Sequence, residues 1–358
     1  MTVTGDGATE ADATATSPAT TPAASAPAEA TASIDTGMET AEPPAGPAGS
    51  REPDAAGSPQ VTPTPPPPSI GYIALDGAQW YVADVSRGVR TAVAGSGYDL
   101  VECDSGGTRE GVLDCADQLA QAAVLGLISM QQFPDLAEEV CDTVGDVPTV
   151  GIIYDQGPCQ VSLLEVDQTE SGRLAGAALG ALAAERWDCD VKDYVALGSG
   201  SGDAIGTARM EGYLTGYREQ CKLPRQKRTL SDTQFLITAQ TGMAGVLDEI
   251  SGKPILVAGV TDLAALGALQ AAAEAGRPNH VWVAGQLADP EARQAIACEA
   301  RYVASVAQFP DRFGARVVPA LVEAIEGGVV EPRIEAELGS VTAENVRQLF
   351  PDTPACDA

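Results

Sequence analysis

The sequence predicts an α/β protein in which two doubly wound parallel-sheet lobes follow a disordered leader. Three observations support this fold class. Residues 1–69 have almost no apolar side chains to bury, short apolar runs alternate with alanine-rich helical stretches from Ile70 onward, and roughly nine or ten strands are too many for one small sheet. Apolar runs of about four to six residues between helices are typical of a parallel sheet that is buried on both faces.

The leader consists mainly of Ala, Thr, Pro, Ser and Gly, and it closes on the run Pro65–Pro68. Chain entropy keeps such a segment open, and consecutive prolines extend its last residues. We therefore expect a disordered tether over residues 1–69. No export signal precedes it, so we expect that the signal has been removed and that a lipid-modified N-terminus stood at Met1. A cytosolic chain is the alternative.

Each predicted strand is an apolar run that ends in Gly, Asp or Ser, and each predicted helix is the alanine-rich stretch that follows it. The predicted strands are 70–75, 100–103, 126–130, 149–154, 161–166, 194–197, 255–258, 281–284 and 303–307. The predicted helices are 81–94, 109–124, 136–144, 172–186, 208–220, 263–275, 291–300 and 316–326. Residues 155–159 are too few for a crossover helix, so we predict that the chain passes between the two sheets there.

Charge excludes several classes of partner. The formal net charge is −29, and Lys192, Lys222, Lys227 and Lys253 are the only lysines in the 358 residues. Nucleic acid and anionic membranes repel such a surface. No run of about eighteen apolar residues, the length that a membrane helix needs, occurs in the sequence. We expect a soluble body with no nucleic-acid partner.

The eight cysteines form an even set without a C-x-x-C pair, which argues against zinc or thioredoxin chemistry. Disulfides in an oxidising compartment are the favoured interpretation, and eight buried thiols in a cytosolic protein are the alternative. The predicted disulfides join neighbours along the chain: Cys103 with Cys115, Cys141 with Cys159, Cys189 with Cys221, and Cys298 with Cys356.

Five stretches, in order along the body, carry a family resemblance. They are Val166-Asp167-Gln168 with Gly172–Gly176, then Thr207–Tyr213, Asp262 with Leu266–Leu269, Val306–Asp311, and Val341–Val346. Each motif is weak alone, but together they are fairly specific. The body resembles the type I periplasmic binding proteins, which are the solute receptors of sugar ABC importers, and is most similar to the ribose and galactose receptors.

The resemblance implies two lobes, an N-terminal one of residues 70–161 plus 309–337 and a C-terminal one of 162–308 plus 338–358, joined by a three-strand hinge. It implies an extracytoplasmic monomer that captures a sugar or polyol by lobe closure and delivers it to an ABC permease. A receptor that feeds a sensor kinase, and a LacI-like regulator without its DNA-binding domain, are the alternatives. No enzymatic activity, cofactor or metal is expected.

Aromatic residues make up 4% of the chain, yet Trp80 and Tyr81 stand together after the first predicted strand, next to Gln79. The C–H face of a sugar ring stacks on aromatic planes, and its hydroxyls bond planar polar groups. These three residues are therefore candidate ligand contacts. The alternative is that the two rings only fasten the next helix to the sheet.

Four of the remaining candidates follow strand ends or begin helices, where they can face the cleft. Arg209 begins a helix after the glycine-rich turn 198–206, and its guanidinium can donate two parallel bonds to a ligand, with a surface ion pair as the alternative. Asp155, Thr261 and Gln286 follow strand ends and offer carboxyl, hydroxyl or amide groups. The resemblance adds Gln308, which it places at both ligand and hinge.

Departures from the family pattern narrow the range of expected ligands. Ribose-type receptors carry an acid where this chain has Ile153, and another where it has Gln286-Leu287, while their usual asparagine is Thr261. Two strong acceptors for sugar hydroxyls are therefore missing. We expect a pentose, hexose, polyol or small glycoside other than ribose. No catalytic residue is assigned, because the single histidine, His280, precedes its strand and so lies away from the cleft.

Overall fold

The computed structural model describes residues 67–356, which form two six-stranded sheets. The predicted tether over 1–69 lies outside the described residues, except for its last three. Of these, Ser69 is already the first residue of β1. Both sheets carry helices on both faces, which confirms the predicted fold class.

Strands and helices alternate along the described chain. The strands are β1 Ser69–Ala74, β2 Asp99–Asp104, β3 Leu127–Ser129, β4 Thr149–Ile152, β5 Gln160–Glu165, β6 Asp193–Leu197, β7 Gln226–Leu230, β8 Ile255–Gly259, β9 Val281–Ala284, β10 Tyr302–Ala307, β11 Arg333–Glu335 and β12 Gly339–Val341. The helices are α1 Trp80–Val93, α2 Arg109–Gln121, α3 Ala137–Val144, α4 Gln168–Trp187, α5 Ala204–Gln220, α6 Leu236–Glu249, α7 Asp262–Glu274, α8 Pro290–Cys298, α9 Gly314–Ile325 and α10 Val346–Leu349.

The first sheet has the strand order β11-β5-β4-β3-β1-β2, and all its pairs are parallel. Helices α1 and α9 cover one face through residues such as Val85 and Val317, both fully buried. Helices α2 and α3 cover the other face through Leu119 and Val140. Apolar side chains therefore project from both faces of the sheet and are buried under helices. The continuous apolar runs in the sequence predicted this arrangement.

The second sheet has the order β12-β10-β9-β8-β6-β7 and is parallel except for β12, which runs antiparallel to β10. Helices α4 and α5 pack on one face, where Tyr213 and Tyr217 are fully buried. Helices α6, α7 and α8 pack on the opposite face around Met243 and Ile296. Each sheet with its helices forms one lobe.

The chain crosses between the lobes three times, between β5 and α4, between β10 and α9, and between β11 and β12. The predicted passage at 155–159 is wrong, because β5 pairs in parallel with β4 and with β11 inside the first sheet. The predicted lobe boundary at 161/162 therefore comes several residues too early. A short 3-10 turn at Gly157–Cys159 replaces the crossover helix and lets β5 return beside β4.

Several short or polar elements were not predicted. Strand β7 has the sequence QKRTL and lies at the edge of its sheet, where polar side chains face solvent. Helix α6 was also missed, since two glycines and two threonines weaken its helical pattern. Strands β11 and β12 have only three residues each. Within residues 67–356, no helix combines the length and apolar character needed to cross a membrane.

Glycines determine how closely α4 and α5 approach each other. A Cβ atom at Gly176 would overlap the carbonyl oxygen of Tyr213, and one at Gly172 would overlap that of Arg209. Gly216 makes the reciprocal approach to Arg173. Only hydrogen at these positions permits backbone contact between the two helices.

The eight cysteines form four pairs, in the order predicted from the sequence. Their Cα–Cα distances are 5.5 Å for Cys103–Cys115, 5.8 Å for Cys141–Cys159, 5.5 Å for Cys189–Cys221 and 5.3 Å for Cys298–Cys356. These separations are the usual ones for disulfides. The last pair ties the C-terminal segment to the end of α8.

We expect Gly176→Ala to lower the free energy of unfolding by about 1–3 kcal/mol, because the new methyl group forces α4 away from α5. Gly245→Ala is the control, since a Cβ there meets no atom within 4 Å. It should stabilise the protein by up to about 1 kcal/mol through helix propensity. Chemical denaturation measures both changes. Equal effects of the two substitutions would contradict close helix contact.

Candidate functional site

The candidate site lies where the carboxyl ends of the two sheets face each other. Tyr81 follows β1 and Tyr154 follows β4 in the first lobe, while Asp203 and Arg209 follow β6 in the second. Burial raises the pKa of Tyr154, the negative charge of Asp203 adds to this rise, and the positive charge of Arg209 opposes it. Tyr154 of the first lobe therefore lies within electrostatic range of Asp203 and Arg209 of the second lobe. The carboxyl ends of the strands, where these residues lie, are where open α/β sheets bind ligands.

A chain of side-chain hydrogen bonds connects the lobes through the second crossing. The Tyr81 hydroxyl donates to Gln308 Oε1 at 2.7 Å, and Gln308 Nε2 donates to Gln168 Oε1 at 3.4 Å. Arg209 Nε donates to the same Gln168 oxygen at 2.8 Å. Gln308 is 1% exposed and stands at the end of β10, so the link is largely removed from water. It links both lobes to the crossing.

Arg209 is 7% exposed and forms no ion pair with any carboxylate in residues 67–356. The predicted alternative of a surface ion pair is therefore wrong. Its Nη1 donates to the carbonyl oxygen of Val260 at 3.0 Å, whereas Nη2 has no partner in that range. Burial lowers the pKa of the guanidinium, because a charged group loses water there. One end of a buried cation thus remains available to a ligand.

Trp80 is half-buried and meets the ring of Tyr81 edge to face, with 5.6 Å between centroids. The guanidinium carbon of Arg293, which belongs to α8 of the second lobe, lies 5.7 Å from the Trp80 centroid and 3.9 Å from that of Phe350. Tyr81 also packs edge to face on Phe313 at 6.2 Å. Tyr81 therefore packs the start of α1 against Phe313, while Trp80 contacts Arg293 of the second lobe.

Two of the predicted ligand contacts are occupied by protein partners. The Thr261 hydroxyl caps α7 by accepting a bond from the Ala264 amide at 3.1 Å, and it donates to the Gln234 carbonyl at 2.6 Å. Gln286 is fully buried, where its oxygen accepts a bond from the Ser171 hydroxyl and its nitrogen donates to the Ser171 carbonyl at 3.3 Å. A ligand would have to replace these bonds to use either side chain.

The two remaining predicted contacts, Gln79 and Asp155, are exposed. Gln79 Nε2 donates to Asp76 at 3.0 Å, and Asp155 accepts a bond from the Gly157 amide at 2.8 Å. Both bonds are local ones within turns. Either side chain can therefore exchange its partner for a ligand at lower cost than a buried residue.

Neither Tyr154 nor Gln168 was predicted to contact the ligand. A tight turn separates Tyr154 from β4, since Ile153 has a φ of 68° and the Tyr154 amide donates to the Ile152 carbonyl at 2.8 Å. A left-handed β-branched residue is strained, and such strain concentrates at functional sites. The scarcity of aromatics was the one signal that could have identified Tyr154. Gln168 belongs to the first of the five stretches that resemble the family, and the resemblance implied no role for it.

Two buried carboxyl groups lie behind Arg209. Asp262 is fully buried and accepts bonds from Tyr302 at 2.6 Å, Ser305 at 2.7 Å and the Asp289 amide at 2.7 Å. Asp289 is 4% exposed, and its Oδ1 has no hydrogen-bond partner in the described chain. Burial first, and then the charge of Asp262, raise the pKa of Asp289 to about 8. Asp289 therefore keeps its proton to a higher pH than an exposed carboxyl group does.

A cavity of about 170 Å³ opens between the lobes beside the second crossing. Asp84 and Arg87 line it from the first lobe, Leu287 and Arg293 from the second, and Phe309 from the crossing itself. Arg293, which lines this cavity, also lies 5.7 Å from the centroid of the Trp80 ring.

The periplasmic binding protein domain family matches residues 70–328. Among solved structures, a periplasmic solute-binding protein of an ABC transporter from Actinobacillus succinogenes with bound D-allose has a TM-score of 0.67 at 15% identity, and the alignment covers 78% of this chain and 99% of that one. A solute-binding protein from Bacillus halodurans with bound myo-inositol has a TM-score of 0.64 at 19% identity, with 81% and 99% covered. A solute-binding protein of an ABC transporter from Mycobacterium smegmatis with bound glycerol has a TM-score of 0.65 at 20% identity. The alignment covers 81% of this chain and 100% of that one.

A curated relative is the HTH-type transcriptional repressor PurR of Edwardsiella ictaluri, which is 27% identical over 212 residues. The match covers 58% of this chain and 59% of the repressor. The chain therefore spans about three fifths of the length of that relative. At the identities of the solved structures, the likeness shows the fold alone.

We expect Tyr81→Phe to lower the free energy of unfolding by about 1–3 kcal/mol, because it leaves the buried Gln308 oxygen without its donor. Tyr98→Phe is the control, since the Tyr98 hydroxyl has no hydrogen-bond partner among residues 67–356. It should change stability by less than about 0.5 kcal/mol. Urea denaturation compares the two, and equal losses would show that the bond to Gln308 contributes nothing.

We expect the free energy of unfolding to fall as pH rises from about 4 to 8, because Asp289 keeps its proton in the folded protein after it has lost it in the unfolded chain. Asp289→Asn has no such proton to lose. Between pH 4 and 8, the free energy of unfolding of Asp289→Asn should therefore rise relative to that of the wild type. The change should reach roughly 1–3 kcal/mol near pH 8. Asp248→Asn, on the exposed face of α6, is the control. Parallel pH profiles for the wild type and Asp289→Asn would refute this assignment.

Proposed function

Because this chain belongs to the periplasmic binding protein domain family, we propose that it is an extracytoplasmic receptor that captures a small polar ligand by closing two lobes. The family match confirms the resemblance predicted from the sequence. The ligand class is a monosaccharide, polyol or small glycoside, in keeping with the D-allose, myo-inositol and glycerol bound to the similar structures. The receptor delivers this ligand to an ABC permease.

The single observation that carries the proposal is the hydrogen-bond chain from Tyr81 through Gln308 and Gln168 to Arg209. It places polar groups from both lobes and the crossing at one site. A ligand that bonds both ends of this chain favours the closed form by as much as it prefers that form. The residues assigned to the site are Gln79, Trp80, Tyr81 and Asp155 in the first lobe, Arg209, Thr261 and Gln286 in the second, and Gln308 at the hinge.

Within this set, Trp80 supplies an aromatic face for the ring and Arg209 supplies the strongest donor. Tyr154 joins them as a further hydroxyl from the first lobe. Gln286 and Thr261 act mainly by holding the loops that carry the others, because their own polar atoms are already bonded. The assignment includes no catalytic residue and no cofactor.

Four cysteine pairs support an oxidising compartment. We place the protein outside the cytoplasmic membrane as a monomer, tethered through residues 1–69 by a lipid-modified N-terminus. The match to a repressor raises a regulator as second candidate. A net charge of −29 opposes DNA binding, and a gel shift with genomic fragments tests that candidate.

Isothermal titration with a panel of sugars and polyols tests the receptor function. At least one compound should bind with a dissociation constant in the micromolar range, roughly −8 kcal/mol. Trp80→Ala should weaken that binding about tenfold or more, because the ring of the ligand loses the indole surface on which it stacks. Trp187→Ala, at the far end of α4, should leave the affinity unchanged. If no member of the panel binds below about a millimolar, the ligand class is wrong.

A further inference from the structure

The second lobe contains a groove between α5 and the edge strand β7. Gly212 and Gly216 of α5 permit backbone contact with α4, so the helix lies against that neighbour. On the side of the sheet that α5 covers, Lys227 and Thr229 of β7 remain exposed. A cavity of about 320 Å³ lies in this groove.

Apolar side chains and one buried tyrosine line the groove. Met210 and Leu214 of α5 and Ala196 of β6 form its walls. Tyr194 of β6 also lines it and is 1% exposed, and its hydroxyl has no hydrogen-bond partner among the described residues. Burial raises the pKa of Tyr194, so the hydroxyl keeps its proton and can donate it to a hydrogen bond. Buried polar groups without a partner are rare, because they lose the bonds that water supplies.

The first lobe has an equivalent groove between α1 and its own edge strand β2. Ser86 of α1, which lines that groove, donates to the Tyr72 hydroxyl of β1 at 3.2 Å. Arg90 of α1 donates two bonds to Glu102 of β2, at 2.6 and 2.8 Å. These polar groups therefore have partners within the protein.

The second lobe carries apolar residues where the first carries these polar ones. Counted from the first residue of each helix, Met210 stands where α1 has Ser86, and Leu214 stands where α1 has Arg90. The tyrosine of the second lobe therefore lacks the partner that the tyrosine of the first lobe has. A bond that the protein supplies in one lobe is left to another molecule in the other.

The groove is separate from the interlobe site. Arg209 lies on the side of α5 that packs against α4, since a Cβ atom at Gly172 would overlap its carbonyl oxygen. A helix turns by about 100° per residue, so residues two positions apart point in nearly opposite directions. Thr207 and Glu211, each two positions from Arg209, line the groove from the other side of the helix. Asp203 borders both places, because it lines the groove and lies within electrostatic range of Arg209.

From the unpartnered hydroxyl and the apolar walls we propose that this groove is a second binding site, for a small uncharged molecule with an apolar ring and one oxygen that accepts a bond from Tyr194. An apolar cavity of about 150 Å³ holds benzene. The groove is about twice that size, so a ring with a short side chain fits. Water can bond the hydroxyl, but a ring also covers Met210 and Leu214. The proposal does not depend on which ligand the interlobe site takes.

The probes are acetophenone and ethylbenzene, which have the same ring and chain and differ in one carbonyl oxygen. NMR titration of the full chain, labelled with ¹³C at the methionine methyl groups, locates the binding. Acetophenone should shift the signal of Met210, which lines the groove, with a dissociation constant of roughly a millimolar or below. The signal of Met243, buried on the opposite face of the sheet, should not move. An unmoved Met210 signal would overturn the proposal.

Tyr194→Phe tests the bond to the oxygen. It should weaken acetophenone binding about fivefold, because the donor is lost, and change ethylbenzene binding less than about twofold. Tyr72→Phe, at the equivalent position of the first lobe, is the control and should leave both affinities unchanged. Equal effects of Tyr194→Phe on the two probes would refute the assigned ligand class.

A matched pair of threonines tests the place of binding. Thr207 and Thr215 are both exposed on α5, and each hydroxyl donates to a carbonyl oxygen one turn earlier, but only Thr207 lines the groove. Thr207→Trp should weaken acetophenone binding about tenfold or more, because the indole occupies the groove. Thr215→Trp should leave it unchanged, and circular dichroism should show both variants folded. Unchanged affinity in Thr207→Trp would contradict binding in this groove.

Discussion

Parallel strands buried on both faces can be joined only by crossovers, and the rest of this structure follows from that constraint. Every strand of the two parallel layers ends at the same edge of its sheet, so the loops after β1, β4, β6, β8 and β9 collect at two edges. Three crossings then turn these edges toward each other. The candidate site is therefore built from residues that are far apart in sequence, such as Tyr81 and Gln308, 227 positions apart.

Helix packing carries this geometry from the sheets to the side chains. Gly172 allows α4 to touch the backbone of α5 at Arg209, and Gln168 lies one turn earlier on α4. That close approach brings the Gln168 oxygen within 2.8 Å of Arg209 Nε. The same oxygen accepts the bond from Gln308, so the buried cation and the residue at the second crossing share one acceptor.

The sequence predicts those elements well whose structure depends on the local pattern of residues. It predicts less well the elements whose structure depends on tertiary contacts. Long apolar runs, the cysteine pairs and the family stretches identified both sheets, whereas the polar edge strand β7 and the assignment of β5 depend on neighbours that no local pattern reveals. In the site, Trp80 and Arg209 stood out by residue type and position. Tyr154 did not, because its orientation results from the turn at Ile153, where φ is 68°. The bonds that occupy Gln286 come from Ser171, 115 residues away.

A buried cation usually has a carboxylate partner, since an uncompensated charge in the interior is costly. Arg209 has only neutral acceptors in the described chain, the Gln168 amide and the Val260 carbonyl. They orient the guanidinium, while the carboxylates of Asp203 and Asp262 lie within electrostatic range and compensate part of its charge. Nη2 has no partner among residues 67–356, so a ligand that accepts a bond from it does so without breaking a bond inside the protein. In the proposed receptor, such a bond contributes to the free energy that favours the closed form.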